Sequence, residues 1–538
     1  MVVADTQIDI VPGTDVLRDA EDRNLKHGKR SDTVLIPQPS NNSDDPLNWA
    51  PAWKYLVIVA QFLYVFVAVE SSLSVAPMFP LLAKECDLNE TQLSLLTGEC
   101  ILGLGYANFL IVPFSNIFGR RFASISLAVL TLLTVLWEAL TTSHKAFLAA
   151  RVVNGLTTAT TERIMMQVIA DMFCMREDCG PSSTSYFFGL FLGPVIAGNI
   201  AERHGWRSFF WLSLGLAAFN IITLILFFPE TKYQRPATTL GGKAEAIDEP
   251  TRTTNNEKHD ANETIQAPKD TDIQAPDTNS QNGKGRPSKN QFKLFQKPDP
   301  RWKGFLIRDI LSPIRAFFYP IIFWAGLNVA GPANLLLLFF NLTESAVLSA
   351  PPYNFSSGAV GYSNFAFFVG GTIGLVTAGP FSDWVADKAT RRNRGIREAE
   401  MRLPALIPFF ITTAIGNVIG GLGYQRRWSW PIILVFGYGL TGLSVTTVPT
   451  IAVAYAVDCY KPMSGEIMVV ATVVKNTIGF SMSYWVASLG ARKGLVAPAM
   501  VEFSLTMGPM LLGVPLYLWG KRLRRFTRNS AFHQWSDM

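Results

Sequence analysis

The chain has 538 residues, of which 49% are hydrophobic and 16% charged, with 41 Gly, 37 Phe and a net charge of +6. A soluble protein carries nearer a quarter of its residues charged, so this composition excludes a string of ordinary soluble domains and fits closely packed helices facing lipid. The small positive charge sits mostly in loops and tails, which points to membrane orientation and away from nucleic-acid binding.

Residues 1–52 form a polar tail, expected in the cytosol. No apolar core follows Met1, so no signal peptide is expected, and the run from Tyr55 serves as an uncleaved anchor. A helix needs about 20 apolar residues to cross the hydrocarbon core. Runs of that kind begin near Tyr55, Gln92, Phe122, Phe147, Ser183 and Ser208, and again near Ile314, Gly358, Leu403, Trp430, Glu466 and Val496. The expected fold class is an all-α membrane protein with twelve transmembrane helices. The fifth span is the weakest, because its apolar stretch 186–201 is short and 181–185 is polar.

The expected organisation is a bundle of six helices over 53–230, a linker over 231–305, a second bundle over 306–520 and a basic tail over 521–538. The linker is poor in aliphatics and rich in Thr, Asn, Asp, Lys and Pro, a composition that cannot bury enough apolar surface to order itself. Lys388, Arg391, Arg392, Arg394, Arg397 and Arg402 after the eighth span, with the basic tail, put both termini in the cytosol. Arg426 and Arg427 run against that rule. Asn89, Asn341 and Asn354 head glycosylation triplets expected in outer loops.

No enzyme site is legible. The five Cys form no C-x-x-C pair, and Cys174 and Cys179 fall in a loop. The five His form no cluster at metal spacing. No phosphate-cradling G-x-x-x-x-G-K-S/T loop is present. No cofactor and no metal are expected, and the partners are a small-molecule substrate, the lipid bilayer and no nucleic acid.

One internal repeat stands out. Pro113-Phe114-Ser115-Asn116, followed by Gly119-Arg120-Arg121, ends the second span. Pro380-Phe381-Ser382-Asp383, followed by Arg391-Arg392, ends the eighth. A duplicated six-helix unit explains two such copies six helices apart, and a plain basic helix-end loop is the simpler alternative.

At these residues the chain resembles the major facilitator superfamily, whose hallmark is a Gly-rich, Asp-bearing, Arg-Arg loop in both halves. Here Asn116 stands where that family has an acid. The resemblance implies two pseudo-symmetric six-helix bundles. Arg151 to Gly155 is similar to the family's Arg-x-x-x-Gly pattern. Gly189, Gly193, Pro194 and Gly198 are similar to the signature of fungal drug:proton antiporters. The stretch 391–398 and the Ser464-Gly465-Glu466 helix entry are similar to the branch holding fungal polyamine and organic-cation permeases.

An ionisable residue inside a bilayer is costly, about 2.5–3.5 kcal/mol at the centre, so it tends to face a cavity or a partner. Glu162, beside Arg163, and Lys475, beside Asn476, fall near the middle of their spans. Glu162 is expected to bind a proton or a cationic group, and Lys475 a carboxylate or hydroxyl. Internal ion pairing is the alternative for both. Glu70 and Glu99 are further proton-carrier candidates. Glu138 and Glu502 are expected on peripheral helices in structural roles. Asn328 and Asn334 flank Gly331-Pro332, a point where a helix can unwind and expose backbone.

The resemblance implies a monomeric secondary transporter in the plasma membrane, driven by the proton gradient and exporting small amphipathic compounds by alternating access. Uptake of polyamines or organic cations is one alternative. A non-transporting nutrient sensor on the same fold is another.

Overall fold

Apolar runs long enough to cross a bilayer have one way to satisfy their backbone there, and that is helix. The computed structural model describes residues 13–16, 44–173, 180–233, 285–295, 302–393 and 396–527, apart from a few side chains, Glu162 among them. Eight helices in it are long and apolar enough to span a membrane, and two bent pairs bring the number to ten. They are α1 (Pro51–Cys86), α3 (Arg120–Leu140), α6 (Trp206–Phe227), α7 (Pro320–Leu348), α8 (Ser357–Arg392), α9 (Ala399–Gln425), α10 (Trp430–Cys459) and α11 (Ser464–Lys493). The bent pairs are α2 (Glu90–Tyr106 with Asn108–Phe118, 43°) and α12 (Val496–Leu511 with Gly513–Thr527, 42°). Two more long helices, α4 (His144–Met172, 29 residues) and α5 (Gly180–His204, 25 residues), complete twelve. Of the two, α4 is the more polar, and α5 runs to full length despite its short apolar stretch.

The first six helices pack with one another, as do the last six, and the two bundles meet where α2 lies on α11 and α5 on α8. One apolar cluster crosses that seam, joining Val65, Met165 and Phe191 to Phe340, Phe367 and Met482. An end carrying Asn116 and Asp383 is called the motif end below. The opposite end carries the loop 349–356 and is called the far end.

The region between the bundles differs from a featureless connection in its described parts. Residues 285–295 lie along the first bundle, where the Ala50 amide donates to the Gly285 carbonyl at 2.8 Å and the Glu230 amide to the Gln291 carbonyl at 2.9 Å. A separate connecting helix, Trp302–Ala316, precedes α7, which starts at Pro320 and not near Ile314. The chain turns at Tyr319 because a proline at the start of a helix needs no amide partner. Strand β1 (Thr14–Val16) pairs antiparallel with β2 (Ile396–Glu398), fixing part of the N-terminal tail to the loop after α8. Cys174, Cys179 and most of the linker lie outside the described residues.

Candidate functional site

A cavity of about 130 Å³ lies between the bundles. Thr97 of α2, Tyr186 of α5, Asn334 and Asn341 of α7, and Lys475 and Asn476 of α11 supply its polar wall. Local sequence positions each of them. Gly331 and Pro332 open α7 into a π-helical turn over Gly331–Leu336, which swings Asn334 towards α11. The Asn334 amide then donates to the Lys475 carbonyl at 2.8 Å and to Asn476 Oδ1 at 3.2 Å. Lys475 Nζ sits 5.6 Å from the Tyr186 ring, a cation–π distance. Gly105 lets Asn476 approach α2 closely. The remaining wall is aliphatic and aromatic, and no carboxylate lines the cavity among the described residues.

The sequence candidates divide at this point. Lys475, Asn476 and Asn334 meet at the cavity. Asn328 does not, because its amide returns to the Trp324 carbonyl at 2.9 Å and faces α12. Glu70 is buried behind the cavity wall, accepting from Ser213 Oγ of α6 at 3.1 and 3.2 Å. Glu99 is half-buried on α2 and outside the wall. The side chain of Glu162 is outside the described residues; its backbone lies in α4. Its neighbour Arg163 reaches across the seam and donates to the Gly465 carbonyl at 2.6 Å. Asn341 was expected in an outer loop; it lies within α7 and lines the cavity, where no glycosylating enzyme reaches. Asn354 is exposed in the far-end loop, and Asn89 caps α2 through a bond from the Gln92 amide at 2.8 Å.

Other wall residues carried no signal in the sequence. Tyr186 and Thr97 belong to spans rich in similar residues, so only packing selects them. The same holds for a stack of rings crossing the seam, Phe191 on Phe367 at 6.1 Å and Phe367 on Tyr438 at 4.2 Å.

Buried polar groups tie the helices together around the site. Arg151 is fully buried and donates to the Leu96 carbonyl at 3.1 Å, to the Ser71 carbonyl at 3.0 Å and to Glu138 at 3.4 Å. Asn154 donates to both Glu138 oxygens at 3.1 Å. Glu138 thus serves packing among α1, α2, α3 and α4. Glu502 is similarly enclosed, accepting from Asn417 at 2.8 Å and Thr506 at 3.1 Å.

At the motif end the two copies of the repeat are built alike. In the first, Arg120 donates to the Ser115 carbonyl and to Asn116 Oδ1, each at 3.1 Å, and lies 3.5 Å from Asp171 at the end of α4. In the second, Arg402 donates to Ser382 at 2.9 Å, pairs with Asp383 at 2.9 Å and with Asp458 at the end of α10 at 3.0 Å. The arginine expected there was Arg391 or Arg392. Both are exposed on the last turn of α8, and the 3-10 turn Ala399–Ala405 delivers Arg402 instead. Gly119, at φ +95°, turns the chain so that the amides of Arg120 and Arg121 reach Glu230 at 2.9 and 3.1 Å. The Arg121 guanidinium caps carbonyls at the end of α6.

The glycine signature of α5 begins against α1 within the first bundle and ends on the seam. Gly193 faces Ser74 and Glu70 of α1, while Gly198 meets Ser357 and Gly361 at the start of α8 in backbone contact. Any larger residue at Gly198 would collide with the Ser357 carbonyl.

The family description Major Facilitator Superfamily matches residues 60–484. Protein HOL1 of Saccharomyces cerevisiae is 27% identical, over 97% of this chain and 96% of its own length. Efflux pump radE of Floropilus chiversii is 23% identical, over 94% of this chain and 87% of its own length. The crystal structure of the human organic anion transporter MFSD10 is similar in fold, with a TM-score of 0.52, 15% identity, and coverage of 86% of this chain and 99% of that one.

Proposed function

The chain belongs to the Major Facilitator Superfamily, and from that premise we propose that it is a proton-coupled exporter of small amphipathic organic compounds in the plasma membrane, working by alternating access as a monomer. The observation that carries this reading is the cavity wall. An apolar and aromatic surface with a few convergent polar groups suits an amphipathic ligand, and Lys475, Asn476 and Asn334 supply the polar side. At about 130 Å³ the cavity is smaller than the 300 Å³ or more that a drug-sized molecule fills. The bundles therefore part to admit substrate and close again around a smaller space. Export, and not uptake, is supported by relatives of which one is named an efflux pump. Uptake of a polyamine fits less well, since a lysine and no described carboxylate lines the space. Glu70 is a proton-carrier candidate in this scheme, being buried on α1 with a hydroxyl as its described partner.

Full-length protein in vesicles, loaded in turn with anionic, neutral and cationic fluorescent amphipathic dyes under an imposed pH gradient, tests the reading. Gradient-dependent extrusion that an uncoupler abolishes, and that Lys475→Met weakens, is expected. Equal dye loss from empty vesicles would sink it.

A further inference from the structure

The carboxyl of Glu344 has no place in the cavity, in the motif loops or in the packing networks described above. It is fully buried on α7. Among the described residues its two oxygens accept from the Asn364 amide, at 3.4 and 3.2 Å, and no cation is within ion-pair range. An ionised carboxylate sealed from water without a cation is costly, and the group can shed that cost by binding a proton.

Its position gives such a proton a consequence. The flanking residues Thr343 and Ser345 line a cleft of about 640 Å³ that opens between the bundles at the far end. Ser345 Oγ donates to the Ala76 carbonyl of α1 at 2.6 Å, a bond that ties the second bundle to the first. Asn364, the residue that holds Glu344, follows the opening segment of α8, Ser357–Ser363. That segment contains Gly361, whose backbone packs on Pro194 and Gly198 of α5. One carboxyl therefore joins the two segments, the end of α7 and the start of α8, by which the far end is shut.

The groups around it are neutral or distant. Tyr424 of α9 and Tyr438 of α10, hydroxyl to hydroxyl, are the ionisable side chains nearest in charge. From α8 come Asn364 and Ser363, and from α1 the Ala76 carbonyl next door. From α11 the cleft is lined by Ala487, Gly490 and Ala491, and the charged residues among its described lining are Glu90 and Arg427.

We propose that Glu344 is a proton-binding site served by the far-end cleft, neutral when that end is shut and ionised when it is open. A proton from cleft water adds to one carboxylate oxygen as the end closes, and returns to water as it opens. The meaning of opening rests on the alternating-access reading, whereas the titration itself belongs to the protein alone.

The test uses the full chain in lipid nanodiscs, with the five native cysteines replaced and spin labels at Lys84→Cys on α1 and Ala346→Cys on α7. Both positions are exposed, one on each side of the cleft. Distances between the labels are measured across a pH series without any substrate. With Glu344 present, the longer-distance population grows severalfold as pH rises, because the ionised form favours the hydrated, open end. Glu344→Gln keeps an acceptor for Asn364 and loses that pH dependence, Glu344→Asp restores it, and Glu502→Gln leaves it intact. A pH shift that persists in Glu344→Gln, or no shift with Glu344 present, overturns the proposal. Should Glu344→Gln fail to fold, Asn364→Ala is read instead, and an unmoved midpoint overturns the proposal equally. Loss of dye transport with the pH shift intact would count against the transport reading and spare this one.

Discussion

Asn116 Nδ2 donates to Asp309 Oδ2 at 2.5 Å, joining the end of α2 to the connecting helix that leads into the second bundle. The second copy of the repeat has Asp383 at this position and spends it on Arg402 within its own bundle. An amide at 116 is what lets a carboxylate at 309 approach. The departure from the repeat is thus explained by a cross-bundle contact.

Asn116→Asp would set two carboxylates against each other. Near a protein surface two like charges at 4 Å repel by about 4 kcal/mol, so the motif end should open more readily. Cross-linking of cysteines placed at Arg163 and Gly465 should drop roughly tenfold. Adding Asp309→Asn should restore it, and no recovery in the double variant would show that the contact does not set the closure.

Arg402→Ala leaves Asp458 and the Ser382 hydroxyl without their main described partner. Asp383 is largely exposed and contributes little. A loss of about 1–3 kcal/mol is expected, read as a lower melting temperature in detergent. Arg391→Ala and Arg392→Ala should stay within about 0.5 kcal/mol of the parent, as exposed substitutions do. Equal effects from all three would contradict the assignment of Arg402 to the repeat.

Arg151→Met strands the buried Glu138 carboxylate. Removing one member of a buried ion pair costs about 3–5 kcal/mol, so the variant should accumulate poorly. The double variant Arg151→Met with Glu138→Gln should recover much of that loss, because no uncompensated charge remains. A double variant as unstable as the single one would mean that the guanidinium's bonds to Leu96 and Ser71 matter more.

Gly119→Ala forces a side chain into a left-handed conformation and into the Glu230 carboxylate. The backbone term alone is about 1–3 kcal/mol. The melting temperature should fall, and Gly119→Asn should fall at least as far as Gly119→Ala, since φ +95° with ψ 164° lies outside the left-handed helical well that asparagine tolerates and any Cβ there meets Glu230.

Much of the architecture can be read from residue order. Hydropathy marks most spans, and Pro113 to Asn116 against Pro380 to Asp383 marks the duplication. The fifth span is the hardest to read, because the polar residues 181–185 lower the hydropathy at its start. Lys475 and Asn334 could be picked out, since a lysine inside a span and a Gly-Pro break are local features. Asn328 is not separable from Asn334 in the sequence, although six residues along α7, with the π-helical turn between them, send one to α12 and the other to the cavity. Glu344 carries no signal in the sequence, because it lies near the end of a span where an acid is ordinary.

The sequence by itself determined what is periodic and local: long apolar helical segments, a motif repeated at two helix ends, and the residue types at each helix end. Those follow from the free energy of burying apolar side chains and satisfying backbone bonds along one helix at a time. Only the tertiary structure decided which polar group meets which. Arg402 and not Arg392 completes the second motif, Asn341 faces a cavity and not a glycosylating enzyme, and Glu344 sits at the far-end seam. Such pairings depend on how each helix is rotated and on contacts between residues far apart in the chain, and about half a turn of helix suffices to move a side chain from lipid to partner.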